Sequence, residues 1–326
     1  MNILVCGGAG YIGSHMAKML SEQGHQVTVF DNFSTGNRWA VKWGQLYEGD
    51  LLNKNDLSAI FEHNSFDAVM HFSARSLVGE SVSHPTLYYQ NNVIGTLNLL
   101  ESMQQAGVKQ FIFSSTAATF GNPITDRIDE THPQQPINPY GWSKLMVEQM
   151  LHDLASADGM NSVFLRYFNA AGADPDGEIG EAHDPETHLI PNVLQSVSGA
   201  KQLQVFGTDY PTVDGTCVRD YIHIDDLCNA HLLALRYLET HPGAHGFNLG
   251  NGHGFSILEV LQAAEKVTGQ TIDYAVEGRR PGDPPTLVAD SALAQQELGW
   301  QPAYTELEAI IATAWNWEQN RRKLDL

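Results

Sequence analysis

Short apolar runs alternate with helical patterns through the first half of the chain. Each run is four or five residues long, the pattern of a strand buried on both faces of a sheet. The runs lie at residues 3–6, 27–30, 68–72, 111–114 and 163–167. Helical patterns, such as 12–23 and 93–105, lie between them. This alternation predicts an α/β fold with a doubly wound parallel sheet covered by helices.

The alternation ends after Tyr167. Residues 169–187 are rich in Gly, Pro, Asp and Glu, which is typical of a loop that leads into a second region. Further on, 218–224 and 247–249 have strand patterns and 225–237 has a helical pattern. We therefore expect one domain over 1–168 and a smaller α/β domain over 169–326, with segments of about 218–249 returning to the first.

Composition restricts the class of protein. The 326 residues suffice for two domains, and 42% of them are hydrophobic, as in ordinary globular proteins. No apolar run has the length of a membrane span, and the N-terminus lacks the pattern of a signal peptide. The sequence contains no HExxH motif or His/Cys cluster, and the cysteines Cys6, Cys217 and Cys228 lack metal-site spacing. These features predict a cytoplasmic protein with reduced thiols and no metal.

The net charge of −20 disfavours some partners. Such a chain repels nucleic acid and anionic membranes over most of its surface. An anionic ligand would need a local cationic pocket, so the few arginines deserve notice.

A glycine-rich turn joins the first predicted strand to the first helix. Residues 7–13 read GGAGYIG, with Gly7, Gly10 and Gly13 at every third position. Glycines let the backbone approach a pyrophosphate, and the following helix offers free N–H groups and a positive dipole end. The turn, including Tyr11 and Ile12, therefore predicts a dinucleotide site.

Asp31 ends the second predicted strand, 18 residues after Gly13. A carboxylate there can accept both hydroxyls of an adenosine ribose and would repel a 2′-phosphate, which favours NAD over NADP. Further cofactor contacts are expected from residues that follow neighbouring strands: Asn32, Asp50, Leu51, Phe72, Ser73 and Ala74.

A tyrosine and a lysine lie at the start of a predicted helix, in NPYGWSKLMVEQML at 138–151. Asn138 is a good N-cap and Pro139 suits the first helical position, so Tyr140 and Lys144 share one helix face. An ammonium and a helix N-terminus would favour the phenolate of a tyrosine whose ordinary pKa is about 10. The pair is therefore a candidate for proton transfer.

The stretch FSSTAATFG at 113–121 ends the intervening strand. It places the hydroxyl of Thr116 at the carboxyl edge of the sheet, where doubly wound folds bind ligands. The predicted catalytic residues are therefore Tyr140, Lys144 and Thr116.

These motifs together resemble the extended short-chain dehydrogenase/reductase family. Similarity to its UDP-sugar 4-epimerases covers nearly the whole chain, in HFSARSLVGES (71–81), YYQNNVIGTLNLL (88–100), LRYFNAAGADPDGEIGE (165–181), HLIPNVLQ (188–195), FGTDYPTVDGTCVRDYIHIDDL (206–227) and RRPGDPP (279–285). The resemblance implies a Rossmann domain, a smaller C-terminal UDP-sugar domain, firmly held NAD and a homodimer.

The resemblance also implies roles for individual residues. Tyr140 matches the catalytic base, Lys144 its partner on the nicotinamide ribose, and Thr116 a hydroxyl relay. Asn91 and Phe168 match cofactor contacts. The residues that match the substrate site are Ser76, Thr116, Asn169, His188, Leu189, Gln204, Val205, Phe206, Arg219, Arg280, Asp283 and Leu287.

Elementary chemistry agrees with part of that assignment. A diphosphate needs cationic forks, and Arg219 and Arg280 are among few arginines in the acidic C-terminal half. Asp283 can accept ribose hydroxyls.

The implied activity is interconversion of UDP-glucose and UDP-galactose through a 4-keto intermediate. A 4,6-dehydratase would need an acid pair where this chain has Ala117 and Ala118. A non-catalytic NAD sensor could dispense with the Tyr/Lys pair, which this chain retains. An epimerase of another UDP-sugar, N-acetylated or pentose, stays open because Ser76 and Leu287 depart from common patterns beside the sugar.

Overall fold

The described residues, 1–197, 202–280 and 283–324, form alternating strands and helices in this computed structural model. The strands are β1 (Asn2–Cys6), β2 (Gln26–Asp31), β3 (Gln45–Glu48), β4 (Ala68–His71), β5 (Gln110–Ser114), β6 (Asn161–Tyr167), β7 (Asn169–Ala171), β8 (Leu203–Phe206), β9 (Val218–His223), β10 (Ala244–Leu249), β11 (Gly254–Ser256), β12 (Tyr274–Glu277) and β13 (Thr286–Leu287). The α-helices are α1 (Tyr11–Glu22), α2 (Lys54–His63), α3 (Val78–Ser83), α4 (Pro85–Tyr88), α5 (Gly95–Ala106), α6 (Pro139–Asp158), α7 (Leu189–Ser196), α8 (Ile224–Tyr237), α9 (Ile257–Thr268), α10 (Ala292–Leu298) and α11 (Leu307–Lys323). A π-helix covers Tyr89–Ile94, and 3₁₀ helices cover Arg38–Ala40 and Ala117–Thr119.

Seven strands form one large sheet in the order β10-β6-β5-β4-β1-β2-β3. Every neighbouring pair runs parallel. The strand order reverses between β1 and β4, so the carboxyl ends of these strands form the crevice where doubly wound folds bind ligands. The predicted fold class is confirmed.

The two faces of the sheet are covered by different helices. Successive side chains of a strand point to opposite faces, so Ile3 and Val5 of β1 pack with α1 and α8, while Leu4 and Cys6 pack with α2, α5 and α6. The near-continuous apolar strands of the sequence follow from burial on both faces. Cys6 and the other two cysteines are buried free thiols.

A smaller assembly follows β6. Strands β11, β9 and β13 form a second sheet in that order, and β7 also pairs with β9. A third sheet joins β12 to β8. Helices α7, α9 and α11 pack around a separate apolar core that includes Leu194, Leu261 and Ile311.

The chain returns to the large sheet after building part of the small one. β9 belongs to the small sheet, α8 packs against α1, and β10 pairs with β6 at the edge of the large sheet. The division into two domains near residue 168 stays a prediction. No helix in the described part of the chain has the length and apolar character needed to cross a membrane.

Two local predictions differ from the structure. The segment 169–187, predicted as a loop, begins with β7, whose backbone pairs with β9 in parallel. The predicted helix at 93–105 is α5, but the π-helix Tyr89–Ile94 leads directly into it. Both differences arise from tertiary contacts, which a local sequence pattern does not contain.

Candidate active site

The glycine turn between β1 and α1 forms a close-fitting cradle. Gly7 has a φ of +80°, and a Cβ there would lie 2.6 Å from the backbone nitrogen of Ser73. A Cβ on Gly13 would overlap the carbonyl oxygen of Gly7. The N-cap of α1, Gly10, makes no side-chain cap hydrogen bond. The first N–H groups of α1 are therefore available to an anion, as a pyrophosphate requires.

Asp31 lies beside this cradle at the end of β2. Its Oδ2 accepts the N–H of Ala9 at 2.9 Å and its Oδ1 accepts that of Phe33 at 2.8 Å. Burial raises the pKa of Asp31, while these backbone donors oppose the rise. Asp31 thus stiffens the turn and keeps acceptor capacity for ribose hydroxyls.

Arg38, a cation seven residues after Asp31 in the chain, is already engaged. The guanidinium of Arg38 lies 4.1 Å from the centre of the Phe33 ring, and its Nη2 contacts Glu48 at 2.7 Å. Asn32 donates to Asp50 at 3.0 Å, which joins two more of the predicted cofactor contacts. A site with a paired arginine and a carboxylate at the end of β2 suits NAD rather than a 2′-phosphate.

The loop after β4 forms the other side of the crevice. Phe72 continues the pairing of β4 by donating its N–H to Cys6 at 2.8 Å. Buried Asn92 holds the loop: its Oδ1 accepts the N–H of Arg75 and its Nδ2 donates to the carbonyl of Arg75, each at 2.9 Å. Asn91, predicted as a cofactor contact, donates to Asn92 at 2.9 Å. Sequence reasoning missed Asn92, whose role depends on burial alone.

Tyr140 and Thr116 meet at the carboxyl edge of the sheet. Asn138 caps α6 by accepting the N–H of Gly141 at 2.8 Å, and Pro139 is the first helical residue, both as predicted. Thr116 follows β5, and its side chain lies close enough to Tyr140 to act on the pKa of the phenol. The sequence motifs 113–121 and 138–151 therefore converge at one point of the sheet edge.

Lys144 lies on the same face of α6 but is directed at the sheet. Its Nζ donates to the carbonyl of Ser114 at 2.7 Å and lies 4.7 Å from the centre of the Phe113 ring. Burial lowers the pKa of Lys144 to about 7, and the charge of Glu148 opposes that fall. Lys144 therefore has donors at the crevice edge but only a weakened positive charge.

The ionisation of Tyr140 differs from the prediction. Burial raises the pKa of Tyr140, and Thr116 acts against the rise. The prediction that the Lys144 ammonium lowers the pKa of Tyr140 is wrong for the protein alone. Lys144 donates to a backbone carbonyl, and burial lowers its own pKa. Lys144 therefore does not lower the pKa of this phenol.

A buried ion pair supports the turn after β5 and was missed from the sequence. Glu148 accepts hydrogen bonds from Ser115 at 2.5 Å and from Arg166 at 2.7 Å. Gln134 donates at 3.0 Å to Oε2, the oxygen that also accepts from Nη2 of Arg166. Because Ser115 precedes Thr116 in the chain, the Glu148 network fixes the backbone that presents the Thr116 hydroxyl.

The predicted substrate residues on β9 and β13 lie together. Arg219 donates to Asp283 at 2.8 Å and to the carbonyl of Pro284 at 3.0 Å. Leu287 pairs in register with Arg219 across the two strands. Asn169 donates to the carbonyl of Asp220 at 2.8 Å, which fixes β7 beside the same sheet. Arg219, Asp283 and Leu287 therefore form one group.

Other predicted substrate residues are more spread. Arg280 stacks over Phe206 with its guanidinium 3.9 Å from the ring centre. Gln204 on β8 is exposed, whereas Val205 is buried in the core, so only the backbone of Val205 can contact a ligand.

The remaining predicted residues lie on other elements. Ser76 is exposed beyond β4, and Phe168 is half-buried between β6 and β7. Leu189 begins α7, and His188 before it contacts Glu181.

Comparison with known proteins extends the likeness over the whole length. The model of the NAD dependent epimerase/dehydratase family matches residues 3–250. The UDP-glucose 4-epimerase of Lacticaseibacillus casei is 51% identical, over 98% of this chain and 97% of that one. The UDP-glucose 4-epimerase of Streptococcus mutans is 52% identical, over 99% of this chain and 98% of that one. A solved UDP-glucose 4-epimerase from Brucella ovis in complex with NAD is 50% identical, with a TM-score of 0.94 over 96% of this chain and 97% of that chain.

Proposed function

Since the chain belongs to the NAD dependent epimerase/dehydratase family, we propose that it is an isomerase that interconverts UDP-glucose and UDP-galactose, with NAD as its cofactor. The observation that carries the proposal is the position of Thr116 beside Tyr140 at the crevice edge, where the threonine opposes the rise that burial causes in the pKa of the phenol. Inversion of one carbinol centre requires a group that removes and returns its hydroxyl proton beside a hydride acceptor. The Tyr140 phenol is that group.

The residues of the crevice fit the cofactor. A Cβ at Gly7 or Gly13 would collide with backbone atoms of the loop after β4 or of the turn itself, so this tight turn requires glycine, and the open N-terminus of α1 suits the charge of a pyrophosphate. When bound, NAD takes up the hydride of sugar C4 and returns it, and its nicotinamide carries a positive charge. The residues proposed to hold it are Gly7, Gly10, Tyr11, Ile12, Gly13, Asp31, Asn32, Asp50, Leu51, Phe72, Ser73, Ala74, Asn91, Tyr140, Lys144 and Phe168.

Tyr140 and Thr116 share the proton chemistry. The Tyr140 oxygen accepts the proton of the sugar 4-hydroxyl, directly or through the Thr116 hydroxyl, and later returns it to the inverted alcohol. The desolvated phenol is protonated in the free protein, so an adjacent positive charge in the occupied site is needed to lower its pKa. Lys144 donates hydrogen bonds at the same edge, where ribose hydroxyls of the cofactor are its proposed partners.

Arginines on the opposite side of the crevice hold the diphosphate in this proposal. Arg219 is already oriented by Asp283 and by backbone carbonyls, and Arg280 by the ring of Phe206. Such pre-oriented guanidinium groups bind phosphate oxygens without further loss of side-chain freedom. The 4-keto sugar itself must turn over between the two steps, so strong contacts to UDP and weak contacts to the sugar suit the reaction. The remaining proposed substrate contacts are Ser76, Thr116, Asn169, His188, Leu189, Gln204, Val205, Phe206, Asp283 and Leu287.

The dehydratase alternative within the same family lacks its acid pair. Ala117 and Ala118 begin the 3₁₀ turn that Thr116 caps, so the positions next to the relay hydroxyl carry methyl groups. A methyl group cannot protonate a leaving hydroxyl. The epimerase reaction, which needs no such acid, is the one that these residues support.

We also propose a cytoplasmic homodimer. The helices α5 and α6 both cover one face of the large sheet, where Leu99 and Val147 pack inward. Their outer sides expose large apolar side chains, which a second copy of the chain would cover. These are Leu97, Trp142 and Met146, together with Ile94 at the end of the π-helix.

The variant Tyr140→Phe tests the proposed reaction. It removes one hydroxyl and little volume, so fold, NAD content and UDP binding should be retained. Loss of a general base typically lowers the rate by on the order of 10²–10⁴-fold. Turnover of UDP-galactose, the nucleotide released on denaturation and UDP binding by calorimetry would be measured together.

The exposed Tyr274→Phe serves as the matched control, because Tyr274 pairs with Leu203, which is not among the proposed substrate contacts. It should turn over like the wild type. A near-normal kcat in Tyr140→Phe would reject the proposed base. Release of NADP, or a requirement for added NAD at every turnover, would reject the proposed cofactor cycle.

A further inference from the structure

Four side chains of metal-binding type lie together just before α7. Glu181, His183, Glu186 and His188 each offer one ligand atom, and these four atoms all lie within 4.8 Å of one another. They belong to a single short stretch, EAHDPETH at 181–188. The functions proposed above for Tyr140 and Thr116, for the glycine turn and for the two arginines do not involve this cluster as a whole.

The separations within the cluster suit a small ion. Nδ1 of His183 lies 3.0 Å from Oε1 of Glu181 and 3.8 Å from Oε2 of Glu186. Nδ1 of His188 contacts the same Oε1 of Glu181. Ligands bound at roughly 2.0–2.2 Å around a tetrahedral ion are about 3.4 Å apart. Small rotations of the side chains would therefore bring all four atoms to one centre.

Glu186 provides an independent sign of a missing partner. Its side chain is 5% exposed, and its Oε1 accepts the N–H groups of Thr187 and His188 at 2.7 and 2.8 Å. Its Oε2 is buried and has no hydrogen-bond donor within the parts of the chain that the structure describes. The imidazole of His183, 3.8 Å away, is too far for a hydrogen bond, and a directly bound cation would satisfy this oxygen.

We propose that Glu181, His183, Glu186 and His188 bind one divalent transition-metal ion, of which Zn²⁺ is the best match. Imidazole nitrogens with carboxylate oxygens are zinc ligands, whereas Mg²⁺ and Ca²⁺ prefer oxygen ligands only. The two carboxylates balance the charge of the ion. This replaces the prediction from sequence that the chain has no metal site, which rested on the lack of familiar motifs.

The predicted role of the ion is structural. Four protein ligands leave no open coordination position for a substrate. His188 would bind the ion through Nδ1, which leaves its Nε2 for the nucleotide-sugar contact proposed above. The metal site itself does not rest on the epimerase activity.

The ion would hold the stretch 181–188 in place beside the glycine turn of the dinucleotide site. Asn37 donates to the carbonyl of Ala182 at 3.1 Å, and Trp317 donates to that of Glu181 at 2.9 Å. The ring of His183 meets the ring of Tyr11 edge-on, with centroids 6.5 Å apart. A metal-bound loop would thus link the start of α7 to the start of α1 and slow the loss of cofactor.

Zinc binding to the full-length protein, freed of any affinity tag, tests the site. After treatment with a chelator and its removal, titration with Zn²⁺ alone in a calorimeter should show one equivalent bound, with a rise in melting temperature. Co²⁺ in place of Zn²⁺ should give the visible absorption of a four-coordinate site. Loss of an outer-shell partner lowers metal affinity about 10–100-fold, so Glu186→Gln, which removes a direct ligand, should lose at least that much.

The control is His253→Gln, which changes an exposed histidine far along the chain from the cluster. It should bind Zn²⁺ like the wild type. Equal Zn²⁺ affinity in the wild type and Glu186→Gln would overturn the proposal, and the four side chains would then be an ion-paired network only. X-ray absorption of the zinc-loaded wild type needs no variant: a shell without imidazole nitrogen would overturn it equally.

Discussion

At the scale of single residues, Leu287 lies where its size can decide which sugar is accepted. It is half-buried in β13 and pairs with Arg219, the proposed ligand of the diphosphate. In the proposed function, a sugar attached to that diphosphate would extend along the same strands. The bulk of this side chain therefore competes with substituents on the sugar.

We predict that UDP-glucose and UDP-galactose are preferred over their N-acetylated counterparts. Excess bulk in a packed site typically costs about 1–3 kcal/mol, which corresponds to roughly tenfold or more in discrimination. Leu287→Ser should narrow the difference by making room for the acetamide. The ratio of kcat/KM for UDP-glucose and UDP-GlcNAc measures it in both proteins, with Leu293→Ser, on exposed α10, as control. Equal kcat/KM values in the wild type would show that Leu287 does not set the choice.

The residues predicted from sequence are those whose chemistry dictates their type. Gly7 and Asp31 could be found because close backbone approach requires glycine and ribose hydroxyls require a carboxylate. Glu148 could not, although it lies one turn after Lys144 on the same helix face. A single glutamate in a helix is usually solvated, and only its burial against Arg166 shows what it does.

At the scale of elements, β1, β2, β4, β5 and β6 of the large sheet were predicted to within two residues, whereas no bounds were predicted for β3. Doubly buried strands leave a strong apolar signal, because both faces need apolar side chains. The π-helix Tyr89–Ile94 has no such signal. Its wider turn accompanies the buried Asn92, which bonds Ser143 in α6 at 3.0 Å, a contact between distant parts of the chain.

Helix α8 carries a buried histidine that should make stability depend on pH. Nδ1 of His231 donates to the carbonyl of Leu227 at 2.8 Å, and its Nε2 has no partner among the residues described. Burial lowers the pKa of His231 from 6.5 to about 4. In the unfolded chain this histidine is therefore protonated below about pH 6.5. In the folded protein it stays neutral until the pH falls to about 4.

We predict that His231 lowers the free energy of unfolding as the pH falls from about 6.5 towards 4. For a pKa that differs by this much, the loss between about pH 7.5 and about pH 5 is on the order of 2 kcal/mol. His231→Phe should remove this part of the decrease in the free energy of unfolding, whatever the substitution does to stability at neutral pH. Urea unfolding at both pH values measures it, with exposed His253→Gln as the reference. An unchanged pH dependence in His231→Phe would mean that the folded protein accepts the proton.

At the scale of the whole molecule, the apolar outer surfaces of α5 and α6 require an explanation. Leu97, Trp142 and Met146 are each at least 40% exposed on two helices of the same sheet face. A stable protein–protein contact usually buries about 1,200–2,000 Å² in total. Two long helices from each of two copies can supply such a surface.

We predict a dimer at micromolar concentration that charged substitutions dissociate. Met146→Arg combined with Leu97→Arg places four like charges in a two-copy interface, so the protein should elute as a monomer. Light scattering coupled to size exclusion measures the mass of each species. Leu293→Arg, on exposed α10, should leave the mass unchanged. A wild type that is already monomeric under these conditions would refute the dimer.

The late position of β10 in the chain matters for synthesis on the ribosome. Strands β1 to β6 leave the ribosome before α8 and β10, which cover one face of the sheet and pair with its β6 edge. About 80 residues separate the end of β6 from the end of β10, or roughly 4–16 s at 5–20 residues per second. During that interval the unpaired edge of β6 can template aggregation. Nascent chains are therefore expected to need a ribosome-associated chaperone until residue 249 has emerged.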